Sequence, residues 1–123
     1  MAHSLSPALH RAAYAALGLP WTYTAVDLTA AELPGFLAGR DASWLGLSVT
    51  MPLKRAALRA CLSVDPVAAQ VGAVNTLTRT GAGWAGDNTD VPGLVRALRP
   101  ALPAGTEGRP AALLGAGATA AAA

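Results

Sequence analysis

Ser48-Val49-Thr50-Met51-Pro52-Leu53-Lys54 is the stretch on which the fold turns. The run Trp44 to Val49 is short and apolar, as suits a strand buried on both faces. Pro52 suits the opening of a helix, and the pattern predicts one from Pro52 through Leu62. A strand, a tight turn and a helix in so short a span form the repeating unit of an α/β fold. Ligands of open α/β sheets gather at the carboxyl ends of strands, so Thr50 and Lys54 lie where a site is expected. Lys54 is the only lysine in a chain with nine basic residues, the other eight being arginine. Arginine keeps its proton at any working pH whereas lysine can be tuned to release one, so a lone lysine here suggests proton chemistry. An ordinary solvated lysine would sit slightly against the helix dipole at this position, which also favours a functional role.

Reading outward, Ser6 and Pro7 suit an N-cap and first helical position, and Ala8 to Leu17 reads as a helix that stops at Gly18. Trp21 to Val26 alternates as a strand does. Thr29 and Glu32 have capping-box spacing for a helix reaching about Gly39, weakened by Pro34. Asp65 and Pro66 open another short helix. Ala73 to Thr80 and Trp84 to Gly86 read as a hairpin around Gly81-Ala82-Gly83, and Asp90 is placed to cap a helix ending near Arg99. Residues 100–110 are rich in Pro, Gly and Ala, which predicts a boundary, with one domain over 1–100 and a second unit over 101–123. Ala111 to Leu114 reads as a strand, Gly115 to Thr119 as a glycine turn, and the closing alanines as a helix start.

The chain of 123 residues is 53% hydrophobic and 13% charged, long enough for one ordinary domain and too apolar for disorder. No uncharged run reaches the roughly 18 strongly apolar residues of a membrane span. The net charge is only +2 and the arginines are scattered, which argues against nucleic acid as a partner. The amino terminus lacks the segments of a secretory signal, and the single Cys61 cannot form an internal disulfide. Together these predict a soluble, cytoplasmic protein.

Three further segments carry chemistry. His3-Ser4-Leu5-Ser6-Pro7 offers two hydroxyls and free amides ahead of a helix, which suit helix capping by Ser6 and a carboxylate facing Ser4. Val74-Asn75-Thr76 puts an amide inside a strand-like run, where Asn is disfavoured, so it asks for a bulge, a backbone bond or a ligand. Gly86-Asp87-Asn88-Thr89-Asp90 alone reads as a polar turn ending in a cap.

In combination, His3 to Pro7, Ser48 to Lys54, Gly72 to Thr76 and Gly86 to Asp90, followed by a Gly-Ala-Gly turn, resemble the shikimate dehydrogenase family in order and approximate spacing. The resemblance covers essentially the whole chain, and the Val-Thr-x-Pro-x-Lys and Asn-Thr-Asp elements together make it specific. It implies an α/β substrate-binding domain of a two-domain dehydrogenase, followed by the first strand and turn of a Rossmann domain. The implied activity is NADP-dependent reduction of 3-dehydroshikimate to shikimate, on the route to aromatic amino acids. By match of motif, Lys54 would exchange the proton with Asp90 as its partner, Ser4 and Ser6 would bind the carboxylate, and Thr50 and Asn75 would complete the pocket. Gly115, Ala116, Gly117, Ala118 and Thr119 would approach the pyrophosphate of NADPH. A homodimer is the implied full-length assembly.

Family members usually begin with a strand and a Gly-x-Pro-Ile-like turn, yet only Met1 and Ala2 precede His3. Val91 and Ser48 replace residues that are often Gly and Asn, and Ala118 departs mildly within the glycine turn. The residue that separates NAD from NADP would lie roughly 20 residues beyond the glycines. The chain therefore reads as truncated at both ends and inactive by itself. Two alternatives remain open, a non-catalytic module that binds hydroxy acids and a quinate/shikimate dehydrogenase using NAD.

Overall fold

A computed structural model describes residues 4–106, 108–110 and 112–123; His3 of the first motif and Ala111 of the last expected strand lie outside them. A four-stranded mixed sheet, ordered β1-β3-β4-β2, organises the chain. Its strands are β1 (Gly46–Ser48), β2 (Ser63–Val64), β3 (Thr76–Arg79) and β4 (Trp84–Asp87). Strands β3 and β4 form the expected hairpin and β1 pairs antiparallel to β3, with Leu47 opposite Leu77. The parallel partner of β4 is β2, with Val64 opposite Gly86. Two residues give β2 no periodicity to read, so it escaped the sequence pattern.

Helices α2 (Leu33–Ala38), α3 (Lys54–Ala60) and α4 (Pro66–Val71) accompany the sheet, with α1 (Ser6–Ala16) before them and α5 (Asp90–Leu98) after. The core gathers Leu33 and Leu37 of α2, Ala56 and Ala57 of α3, Ala68 of α4, and Val49, Val74, Leu77 and Trp84. Small alanines on α3 and α4 let those helices approach the sheet closely, and the indole N–H of Trp84 donates to the Leu37 carbonyl at 3.3 Å. The packing leaves no room at Gly86, where an added Cβ would stand 2.5 Å from Cys61 Sγ and 2.8 Å from Val74 Cγ2.

Local signals were realised unevenly. Asp65 caps α4 as expected, its carboxylate accepting from the Val67 N–H at 2.8 Å, and Gly72 ends that helix in the left-handed region. Thr29 and Glu32 meet through the Glu32 carboxylate, which accepts from the Thr29 N–H and hydroxyl; a turn then leads into α2. Pro52 lies in a turn, and α3 opens at Lys54 and ends at Ala60 rather than Leu62, where the chain must straighten to enter β2.

Other expectations were wrong. Ser6 is the first residue of α1, with Leu5 at the cap position and no side-chain cap. Asp90 likewise begins α5 after Thr89 and does not cap it, because its carboxylate is engaged elsewhere. Trp21 to Val26 forms no strand. Its alternation serves ring packing instead: Trp21 meets Tyr14 edge-on at 5.4 Å and Tyr23 stacks on His10 at 4.2 Å, both rings on the α1 side. The described residues 112–114 form no strand either, and Ala120–Ala122 make one 3-10 turn.

Candidate functional site

Because β3 runs antiparallel to β1 and β4, its beginning lies beside their ends, and three polar segments converge there. Backbone bonds tie them together. Val49 N–H donates to the Asn75 carbonyl, Asn75 N–H to the Asp87 carbonyl, and Val74 N–H to the Lys54 carbonyl, at 2.7, 3.0 and 3.0 Å. The residues that precede and follow the strands are thereby held as firmly as the strands.

Lys54 Nζ donates to Asp90 Oδ2 at 2.6 Å, across 36 residues of sequence. The two side chains are 11% and 25% exposed, so the pair is shielded yet reachable. Asn75 Nδ2 donates to the other carboxylate oxygen at 2.8 Å and to Thr89 Oγ1 at 2.9 Å. Its Oδ1 accepts from Thr89 N–H at 3.0 Å and from Thr76 Oγ1 at 2.9 Å. A carboxylate can only accept and a backbone N–H can only donate, so these neighbours fix which way the Asn75 amide faces. The Asn in a strand-like run thus has both of the reasons it asked for, a backbone bond and a polar site.

Asn88 was not singled out from sequence. It is 1% exposed, and its Nδ2 donates to the Ala73 carbonyl while its Oδ1 accepts from the Asp90 N–H, both at 2.9 Å. It supplies the cap-like bond expected of Asp90 and leaves that carboxylate free for Lys54. The available signal was spacing, since Asn commonly accepts from the amide two residues on.

The other expected site residues are placed differently. Thr50 is exposed in the turn before α3, where its carbonyl accepts from Leu53 N–H. Ser4 Oγ accepts from Ser6 N–H at 3.4 Å, and the Ser6 carbonyl lies 2.9 Å from His10 Nδ1. Among the described residues no hydrogen bond joins Ser4, Ser6 or Thr50 to the Lys54–Asp90 pair.

Lys54 also borders a cleft of about 290 Å³, lined by Met51, Pro52 and Arg55 on one side and Ala116, Gly117 and Ala118 on the other. Gly115 has φ +126°, a conformation that side-chain-bearing residues rarely adopt. The backbone N–H groups of Ala116, Gly117, Ala118 and Thr119 donate to no protein acceptor among the described residues. A turn of free amides without bulky side chains fits a phosphate-bearing cofactor. A larger hollow of about 380 Å³, bounded by Pro34, Leu37, Arg79 and Trp84, is lined by none of the site residues.

The fold is an α/β domain with a lysine–carboxylate pair at its strand ends. Residues 1–77 match the family model described as shikimate dehydrogenase substrate binding domain, and the chain belongs to the shikimate dehydrogenase family. A shikimate dehydrogenase (NADP(+)) of Anaeromyxobacter sp. (strain Fw109-5) is 48% identical over 115 residues, covering 86% of this chain and 41% of the relative. The crystal structure of shikimate 5-dehydrogenase from Thermus thermophilus in complex with NADP(H) and shikimate is 43% identical with a TM-score of 0.87. That match covers 98% of this chain and 46% of the other. The Mycobacterium tuberculosis shikimate dehydrogenase structure is 51% identical with a TM-score of 0.77, covering 80% and 38%. The chain thus spans less than half the length of these relatives.

Proposed function

We propose that these residues form the substrate-binding part of an NADP-dependent oxidoreductase that interconverts 3-dehydroshikimate and shikimate. The observation that carries this reading is the Lys54 Nζ to Asp90 Oδ2 contact of 2.6 Å, shielded at the strand ends and bordering the cleft of the glycine turn. Reduction of a ketone adds a hydride to carbon and a proton to oxygen. The turn of residues 115–119 would hold the diphosphate of a nicotinamide dinucleotide, which when bound would supply the hydride. Negative charge then grows on the oxygen, where the Lys54 ammonium stabilises it by hydrogen bonding and delivers the proton. Asp90 holds the ammonium in position and, with Asn75, offers partners to neighbouring ring hydroxyls. Thr50 extends the pocket, and Ser4 and Ser6 take the carboxylate.

Residues 1–100 form the substrate domain and 101–123 lead into the cofactor domain. In support, α5 ends in a 3-10 turn at Arg99–Ala101, after which Gly105 and Gly108 take positive φ. The relatives are more than twice as long as the matched region, and these 123 residues are proposed to supply the substrate-binding share of the activity. The complete protein works in the cytoplasm as the homodimer the family resemblance implies; among the described residues no helix is long and apolar enough to cross a membrane.

The test is calorimetric titration of the chain with shikimate and with quinate, beside an NADPH-oxidation assay with 3-dehydroshikimate. Saturable shikimate binding that Asp90→Asn and Lys54→Ala weaken, with no turnover, is the expected result. Preference for quinate would reassign the substrate, and absence of binding to either would remove the reading.

A further inference from the structure

Among the described residues, the cleft beside Lys54 is lined by two cationic side chains, Lys54 and Arg55, and by no carboxylate. The two cations differ in what already holds them. Lys54 is engaged by Asp90, whereas Arg55 is exposed and forms no ion pair, hydrogen bond or ring contact among the described residues. It stands in the first turn of α3, which has no acidic residue and where the helix dipole disfavours a cation, so its place is not explained by helix stability. Across the cleft the amides of Ala116, Gly117 and Ala118 have no protein acceptor among the described residues, and no side chain there extends past Cβ. One wall offers a planar guanidinium and the other offers free N–H groups. Both walls carry unpaired donors, and no carboxylate among the described residues lines the cleft, so the ligand that fits is an acceptor-rich anion.

We propose that Arg55 is a phosphate ligand, clamping the diphosphate of the dinucleotide from the wall opposite the Ala116–Ala118 turn. The inference rests on the proposed function for the identity of the ligand, and on the cleft alone for its charge. A guanidinium pairs with two phosphate oxygens in one plane, which Lys54 cannot do while bound to Asp90. In this arrangement the cofactor's phosphates would help hold the turn against α3, setting the distance from the nicotinamide to the proton donor.

NMR titration of the chain with NADP+ and, separately, with inorganic pyrophosphate tests this, following the Arg55 Nε–H and the amides of residues 116–118. Arg55→Gln removes no hydrogen bond, ion pair or ring contact among the described residues and should leave the fold unchanged. It should weaken NADP+ binding about tenfold or more, as loss of a charge-assisted bidentate contact does. Arg59→Gln, one turn along on the same exposed helix face, should leave it within about twofold, whereas a general loss of charge would affect both alike. Pyrophosphate alone should shift the same signals more weakly, and a pyrophosphate affinity equal to that of NADP+ would show a simple inorganic anion site instead of a dinucleotide contact. Equal NADP+ affinity in Arg55→Gln and the parent, or no saturable NADP+ binding by the parent, overturns the proposal. A shikimate titration of the same samples separates the two readings: binding that persists leaves the proposed substrate role standing when the Arg55 proposal fails.

Discussion

The segment from Ser4 to Leu28 and the segment from Leu33 to Leu98 are built on opposite plans. The second contains nearly the whole buried core, and its polar site is bonded across as many as 36 residues of sequence. The first contains no buried residue, and α1 leaves Leu9 at 67% exposure. It is held by ring contacts of His10 and Tyr14 and by an Arg11 bond to the Tyr23 carbonyl. The proposed site is divided along the same line: its proposed proton-transfer end is fixed by the sheet, while its proposed carboxylate end sits on an element with little of its own packing. Chemistry and substrate capture should therefore respond to mutation in different ways.

The largest contrast is expected at Lys54. In the catalytically complete protein, Lys54→Ala should lower kcat by about 100- to 10,000-fold, the range for loss of a general acid, measured by NADPH oxidation. Lys54→Arg should fail nearly as badly, since it keeps the charge and withholds the proton. Ser4→Ala should instead act mainly on KM. Losses at Lys54 and Asp90 should combine to little more than the worse single change, because the two act through one arrangement. A kcat near the parent value in Lys54→Ala would remove the contrast.

The same substitution in the two segments sharpens it next. Leu77, fully buried on β3, should cost about 2–5 kcal/mol when changed to Ala. Leu9→Ala on α1 should stay within about 0.5 kcal/mol, as surface changes do. Urea unfolding of both variants decides, and similar costs would mean that α1 is packed in solution. Gly86→Ala should cost about 1–3 kcal/mol, because the new methyl must displace Cys61 or Val74. Gly81→Ala, with nothing within 4 Å of its added Cβ, is the control.

How much of this could be read beforehand follows the same division. Asp65, the β3–β4 hairpin and the Lys54–Asp90 pairing were legible, the first two from local chemistry and the third from the family resemblance. Trp21 to Val26 was not, because alternation records which side chains share a face and says nothing of whether a neighbouring strand is present. Asp90 was misread as a cap because the preference of aspartate for helix starts is local, whereas its actual partner lies 36 residues away. Asn88 took the capping bond, and only its burial against Ala73 reveals why an amide is needed there.

The smallest expected effect lies at the joint between the two segments. Glu32 accepts from the Thr29 N–H at 2.8 Å and from its hydroxyl at 2.7 Å, just before α2 enters the core. The backbone bond first, and the hydroxyl bond second, hold the Glu32 carboxyl below its ordinary value. Both bonds are stronger to the ionised form. A carboxyl with a folded-state value below its unfolded one stabilises the fold above the unfolded value, and loses that contribution as pH falls through the folded one. Acidification should therefore loosen this joint before it disturbs the core, raising amide exchange at Thr29 relative to Leu77 on a descent from neutral to about pH 3, below the ordinary glutamate range. Glu32→Gln should lose most of this pH dependence while keeping the side chain's length. Because the group is fully exposed, the change should be read as exchange at Thr29 and not as a shift in global unfolding. Parallel loss of protection at Thr29 and Leu77 would show that the two segments unfold as one, and the contrast between them would not survive.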